Sequence, residues 1–169
     1  MKNNILKLKI IIISLFSIVM IGSPVAFADN EHLRNALKYL SYVTPINFPV
    51  QAQLNVNPIK LTIGQLSQVI NKEDPCDGHC EKAKNILSHA VAIANIINTQ
   101  TQRYNSLNTS NAATEKQKFE EQKTDKQKIE TIIKSQVQQY NSLIKEASSE
   151  VKMAISYWNE HQAKEKTKK

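Results

Sequence analysis

The chain writes IINTQTQRYNSL at Ile96–Leu107 and IIKSQVQQYNSL at Ile132–Leu143, identical at eight of twelve positions with a fixed offset of 36. In the first copy Ile97, Gln100, Tyr104 and Leu107 step by 3, 4 and 3; Ile133, Gln136, Tyr140 and Leu143 do the same in the second. Side chains at that spacing share one face of a helix. Two copies are too few for a solenoid, which needs at least three. The phrase therefore reads as packing language used in two neighbouring helices, through duplication or through convergence in a chain of few residue types. A Gln inside an apolar seam sets register at a cost in stability, and Gln100 and Gln136 are expected to satisfy each other.

Extending each copy outward draws the architecture. Upstream of Tyr104 the seam runs Ala83, Ile86, Ala90, Ile93, Ile97 and Gln100, widened by Leu87, Val91 and Ala94. This predicts a central helix from near Asp74-Pro75 to about Leu107. Around the second copy the stripe is Ile133, Val137, Tyr140, Ile144, Ala147, Val151, Ala154 and Trp158. The segment Asn108–Thr114 breaks the two helices, and Thr114 with Gln117 forms a capping-box pattern. The run Glu115–Lys128 reads EKQKFEEQKTDKQK, helix-favouring in composition, with Phe119 its one large apolar residue. An unbroken last helix from Thr114 to Gln162 would be roughly 70 Å long at 1.5 Å per residue.

The segments before this pair must pack on it. DNEHLRNALKYLSYV reads as a helix capped by Asp29 or Asn30, with Leu33, Leu37, Leu40 and Val43 as its stripe and Thr44-Pro45 as its stop. The period then changes. Val50, Ala52, Leu54 and Val56 alternate with polar residues, and after Asn57-Pro58 the alternation resumes at Ile59, Leu61 and Ile63. Two short strands would read this way, and so would an extended strap laid across helices. Thr62 and Gln65 form a capping box for a further short helix, with Leu61 and Leu66 as a hydrophobic staple. The fold class is mainly α: a helical bundle or long helical hairpin with one extended or short β-hairpin segment near residues 48–63.

The N-terminus reads as an export signal. Lys2, Lys7 and Lys9 precede the apolar run Ile10–Ile21, and Ala26-Phe27-Ala28 is an A-x-A cleavage site. The expected organisation is a cleaved signal at 1–28, one helical domain at 29–163 and a basic disordered tail at 164–169. Removing three lysines lowers the net charge from +7 to +4. That mild excess suits anionic envelope surfaces, whereas export and the interleaved Glu residues argue against nucleic acid. The expected location is periplasmic or secreted, with no transmembrane segment after cleavage.

The segment DPCDGHCEKAKNILSHA holds the only dense cluster of reactive residues. Cys76 and Cys80 are the only cysteines, and an exported pair this close reads as a disulfide. The alternatives are a metal site from Cys76, His79, Cys80 and His89 and an intermolecular bridge. His89, beside the core stripe, reads as a packed helix residue. There is no glycine-rich phosphate loop, His-Glu-x-x-His or Cys-x-x-Cys motif, and His32, His79, His89 and His161 are scattered. No enzyme and no cofactor are expected. The candidate binding surface is Tyr104, Tyr140 and Phe119, with core packing as the other reading of the tyrosines.

LTIGQ at Leu61–Gln65 resembles the Leu-Thr-x-x-Gln motif of the small helical periplasmic stress chaperones of the Spy/CpxP family. YNSL…ATEKQKF at Tyr104–Phe119 is similar to the region of their second motif, with Ala113 where Leu is expected. The similarity covers about a tenth of the chain, and helix capping also accounts for the first motif. It implies a helical periplasmic chaperone. The functional expectation is thus an exported helical binding protein, chaperone-like, acting on a protein partner or the envelope surface and able to form a homo-oligomer. The alternatives are a structural or accessory subunit of an envelope assembly such as a secretion system, and a metal-binding protein using the cysteine cluster.

Overall fold

The two seams become the two longest helices. The computed structural model describes residues 31–70, 76–109 and 116–167, with side chains for all of these except 108–109, 116–121 and 165. The export signal, the Asp29 or Asn30 cap, the Asp74-Pro75 entry, Thr114 and the Phe119 side chain lie outside what is described. Helices α1 (Glu31–Ser41), α2 (Asn57–Ile70), α3 (His79–Thr109) and α4 (Lys116–Lys166) follow in order, and no strand occurs among the described residues. Helix α4 is continuous over 51 residues, about 75 Å at 1.5 Å per residue. It runs three residues, Lys164 to Lys166, into the segment read as a basic tail.

Helices α3 and α4 pack along the two stripes. Ala83, Leu87, Ala90, Ile93, Ala94 and Ile97 are buried on α3, and Ile129, Ile133, Val137, Tyr140, Ala147, Val151 and Ala154 on α4. The paired isoleucines and the glutamines that follow them share one pattern of burial in the two copies. Ile97 and Ile133 are buried, whereas the preceding Ile96 and Ile132 stay 42% and 43% exposed. Gln100 and Gln136 are half-buried in both.

The glutamines do not satisfy each other. Among the described residues, the buried Oε1 atoms of both lack a hydrogen-bond partner. Register explains this. His79 meets Glu150 at 2.7 Å, and Lys126 stands 5.1 Å over the Tyr104 ring. In an antiparallel pair with those rungs, Gln100 lies level with Glu130 and Gln136 with Ala94. The two amides are offset by about six residues, roughly 9 Å along the axis.

The alternating segment is a strap, and the β-hairpin expected near residues 48–63 is not found. Residues 43–56 are irregular and extended, apart from a bend at 48–49 and at 52. Ile46, Phe48, Val50, Leu54 and Val56 are half-buried against the core while the residues between them are exposed. An extended chain without a neighbouring strand still carries backbone donors and acceptors that need partners. Two asparagines supply them. The Ile46 N–H donates to Asn141 Oδ1 at 3.0 Å, and Asn141 Nδ2 donates to the Ile46 carbonyl at 2.8 Å. The Leu54 N–H donates to Asn98 Oδ1 at 2.7 Å, and Asn98 Nδ2 donates back at 3.2 Å. Each side-chain amide thus replaces one residue of a missing strand.

The second half of the expected alternation is helical. Helix α2 starts at Asn57, five residues before the expected cap at Thr62. Asn55 Oδ1 accepts the Asn57 N–H at 3.0 Å, and Pro58 sits in the first turn, where its missing N–H costs little. The buried set is Ile59, Thr62, Leu66 and Val69, spaced 3, 4 and 3. Thr62 is fully buried and donates to the Pro58 carbonyl at 2.9 Å. Gln65 Oε1 lies 2.8 Å from His32 Nδ1, tying α2 to α1. Leu61, the expected staple, is 50% exposed.

If the asparagines hold the strap, their loss should act locally. Asn141→Ala should accelerate exchange at the Ile46 amide and leave Leu54 protected, and Asn98→Ala should do the reverse. Each change should cost roughly 1–3 kcal/mol, because it strands a donor and an acceptor. Residue-resolved hydrogen exchange and urea melts check this; unchanged protection at both amides would show that the clasps do not hold the strap.

Candidate functional site

The cysteine cluster resolves into a structural staple. Cys76 and Cys80 are joined by a disulfide and both are fully buried. The intervening turn puts Asp77 at φ 48° and Gly78 at φ 77°, conformations that glycine adopts freely and Asp tolerates. The turn lets Cys76 sit before the helix while Cys80 sits in its first turn. Among the described residues, no three His, Cys, Asp or Glu side chains gather in a way that could hold a metal ion. His89 is exposed, not packed, because the buried face of α3 passes through Leu87 and Ala90 on either side of it.

Beside the staple lies a feature that periodicity missed. Glu150 occupies a core-facing position of α4 and is only 3% exposed. Its Oε2 is 2.7 Å from His79 Nδ1, and its Oε1 is 2.5 Å from Lys82 Nζ. A carboxylate only accepts, so the His79 Nδ1 carries the shared proton. Burial alone would push the Glu150 carboxyl up, but the hydrogen bonds and charges of Lys82 and His79 together bring it below its ordinary 4.5. Glu150, through that same hydrogen bond, raises Lys82 above 10.5. The group ties the start of α3 to α4. Its only signal in the sequence was an acidic residue one place before a seam residue, Val151.

The tyrosines separate. Tyr140 is buried at 3% exposure, which takes it out of the expected binding surface, and burial raises its phenol above 10.0. Tyr104 is half-buried, edge-to-face with Phe48 at 6.4 Å between centroids. Lys126 stands over the Tyr104 ring and Lys134 stands 5.0 Å over that of Phe48. These contacts use the aromatic faces to hold the strap.

An open concave surface lies elsewhere, between α1 and α4. A groove of about 760 Å³ has an apolar lining of Leu37, Leu40, Val43, Pro45 and Ile144. Ser41, Asn141, Ser148 and Ser149 add polar groups, and Lys145 and Lys152 stand on the α4 side. Asn141 also clasps Ile46, so the strap begins at the groove's wall. This surface was not among the sequence candidates. Its residues come from segments about a hundred positions apart, and only the fold brings them together. A smaller cavity of about 130 Å³ lies by the strap, with Tyr42, Leu54 and Tyr140 in its lining. Among the described residues, no helix is long and apolar enough to cross a membrane. Comparison with family models, curated proteins and solved structures finds no match for this chain.

The Glu150 group has a definite pH signature. With its carboxyl held below 4.5, its contribution to stability is complete above that value and is lost as pH falls through the folded-state pKa. Glu150→Gln should destabilise at neutral pH by roughly 1–2 kcal/mol, a modest figure because the pair opens to solvent on its Lys82 side. Urea melts should show the gap between variant and wild type narrowing as the pH falls below 4.5. A gap independent of pH would contradict the charge assignment.

Proposed function

We propose that this is an exported helical binding protein, chaperone-like, whose groove between α1 and α4 receives an apolar segment of a protein partner. The groove carries the reading: it is concave, apolar at its lining and furnished with polar groups, as recognition sites are. The Cys76–Cys80 disulfide is in keeping with an oxidising compartment, as is the signal-like N-terminus. The polar members of the groove are serines, one asparagine and two lysines, groups that can bind and orient a peptide.

A second reading rests on α4. A continuous helix of 51 residues, with Met153 and Tyr157 exposed at 39% and 37% near its end, suits a docking rod in an envelope assembly. In that case the protein would co-purify with a fixed complex.

The two readings separate on a groove-filling variant. The protein without its signal should suppress the aggregation of an unfolded client, measured by light scattering. Ser148→Trp should abolish that suppression with little change in thermal stability, whereas Gln127→Trp, on the exposed face of α4, should retain it. Full suppression by Ser148→Trp would remove the groove from the reading. No suppression by the wild type would favour the docking rod.

A further inference from the structure

Lys145 and Lys152 share one face of α4, seven residues apart, and both line the groove. Two turns of helix separate them by about 10 Å along the axis. Both are exposed. Among the described residues neither enters an ion pair, and no acidic residue lines the groove to balance them. Ser148 and Ser149 lie between the lysines in sequence, and Ile144 with Leu37 and Leu40 supplies the apolar surface below.

From this arrangement, and resting on the binding reading above, we infer that the groove selects an acidic partner segment: apolar residues bracketed by two carboxylates about 10 Å apart. A helical peptide meets that separation in two turns, with both carboxylates on one face. The apolar centre meets the leucines, and each carboxylate meets one lysine. The serine hydroxyls can donate to and accept from peptide backbone. An acyl chain with an anionic head would satisfy one lysine and leave the hydroxyls and the second ammonium without a matching group, so a peptide fits better. The lysines act as specificity determinants, because charged groups at the edge of an interface steer and select more than they bind.

The test uses the protein without its signal and three fluorescent peptides with one apolar centre, flanked by Asp, by Ser or by Lys. Anisotropy titrations should rank them Asp, Ser, Lys, with roughly tenfold or more between the ends, and the preference should shrink as salt rises. The double variant Lys145→Glu/Lys152→Glu should reverse the ranking, and Lys145→Gln/Lys152→Gln should level it. Both are surface changes whose folding circular dichroism verifies. Equal binding of all three peptides by wild type would overturn this inference while leaving the groove reading in place. If no peptide binds but laurate does, in a manner that Ser148→Trp blocks, the peptide assignment is overturned in favour of a lipid. If neither binds, both the inference and the groove reading fail.

Discussion

An extended backbone laid across helices must find partners for its amides, and in this protein two asparagine side chains provide them. Asn141 and Asn98 each return both a donor and an acceptor to one strap residue. The rest of the front of the molecule depends on that solution. Ile46, fixed to α4 by Asn141, determines where the preceding Val43 and Pro45 stand, and they form part of the groove. Leu54, fixed to α3 by Asn98, places the start of α2, whose Thr62 and Gln65 in turn engage α1. Without the clasps the strap would hold unsatisfied polar groups against an apolar core, at a cost of about 1–3 kcal/mol for each.

Much of the helical frame was legible in the sequence. The seams through Ile97 and Ile133 continue without a break and coincide with the buried faces of α3 and α4, because a long period near 3.5 has few other readings. The strap was half legible. Val50, Leu54 and Val56 turn to the core as the alternation expects, Ala52 is exposed instead, and Ile59, Leu61 and Ile63 mimic alternation inside a helix. The residue that separates the two is Thr62, whose hydroxyl looks like a cap in sequence and is instead buried against the Pro58 carbonyl. A polar residue type at a core position defeats a reading based on apolar spacing, and Glu150 is the same case with a charge.

The groove was not legible, for a different reason. Leu37 and Lys145 have no local relation that periodicity could report; only the fold brings them into the lining of one groove. The residues that did attract notice in the sequence serve the structure instead. Cys76 and Cys80 staple the entry to α3, His79 holds Glu150, Tyr140 fills the core, and Tyr104 braces Phe48. Reactive residue types cluster here where the fold needs anchoring, and the proposed recognition surface is made of leucine, serine and lysine.

The measurement that bears most directly on the groove as the binding site is site-specific photocrosslinking from it in the native compartment, with the captured peptides sequenced. A benzophenone side chain at Ser149, on the exposed edge of the groove, should capture partner segments that carry apolar residues between carboxylates, and the same group at Gln127 should capture few. Equal capture from the two positions would contradict it, whereas fragments from Ser149 with no acidic flanks would overturn the charge selection alone.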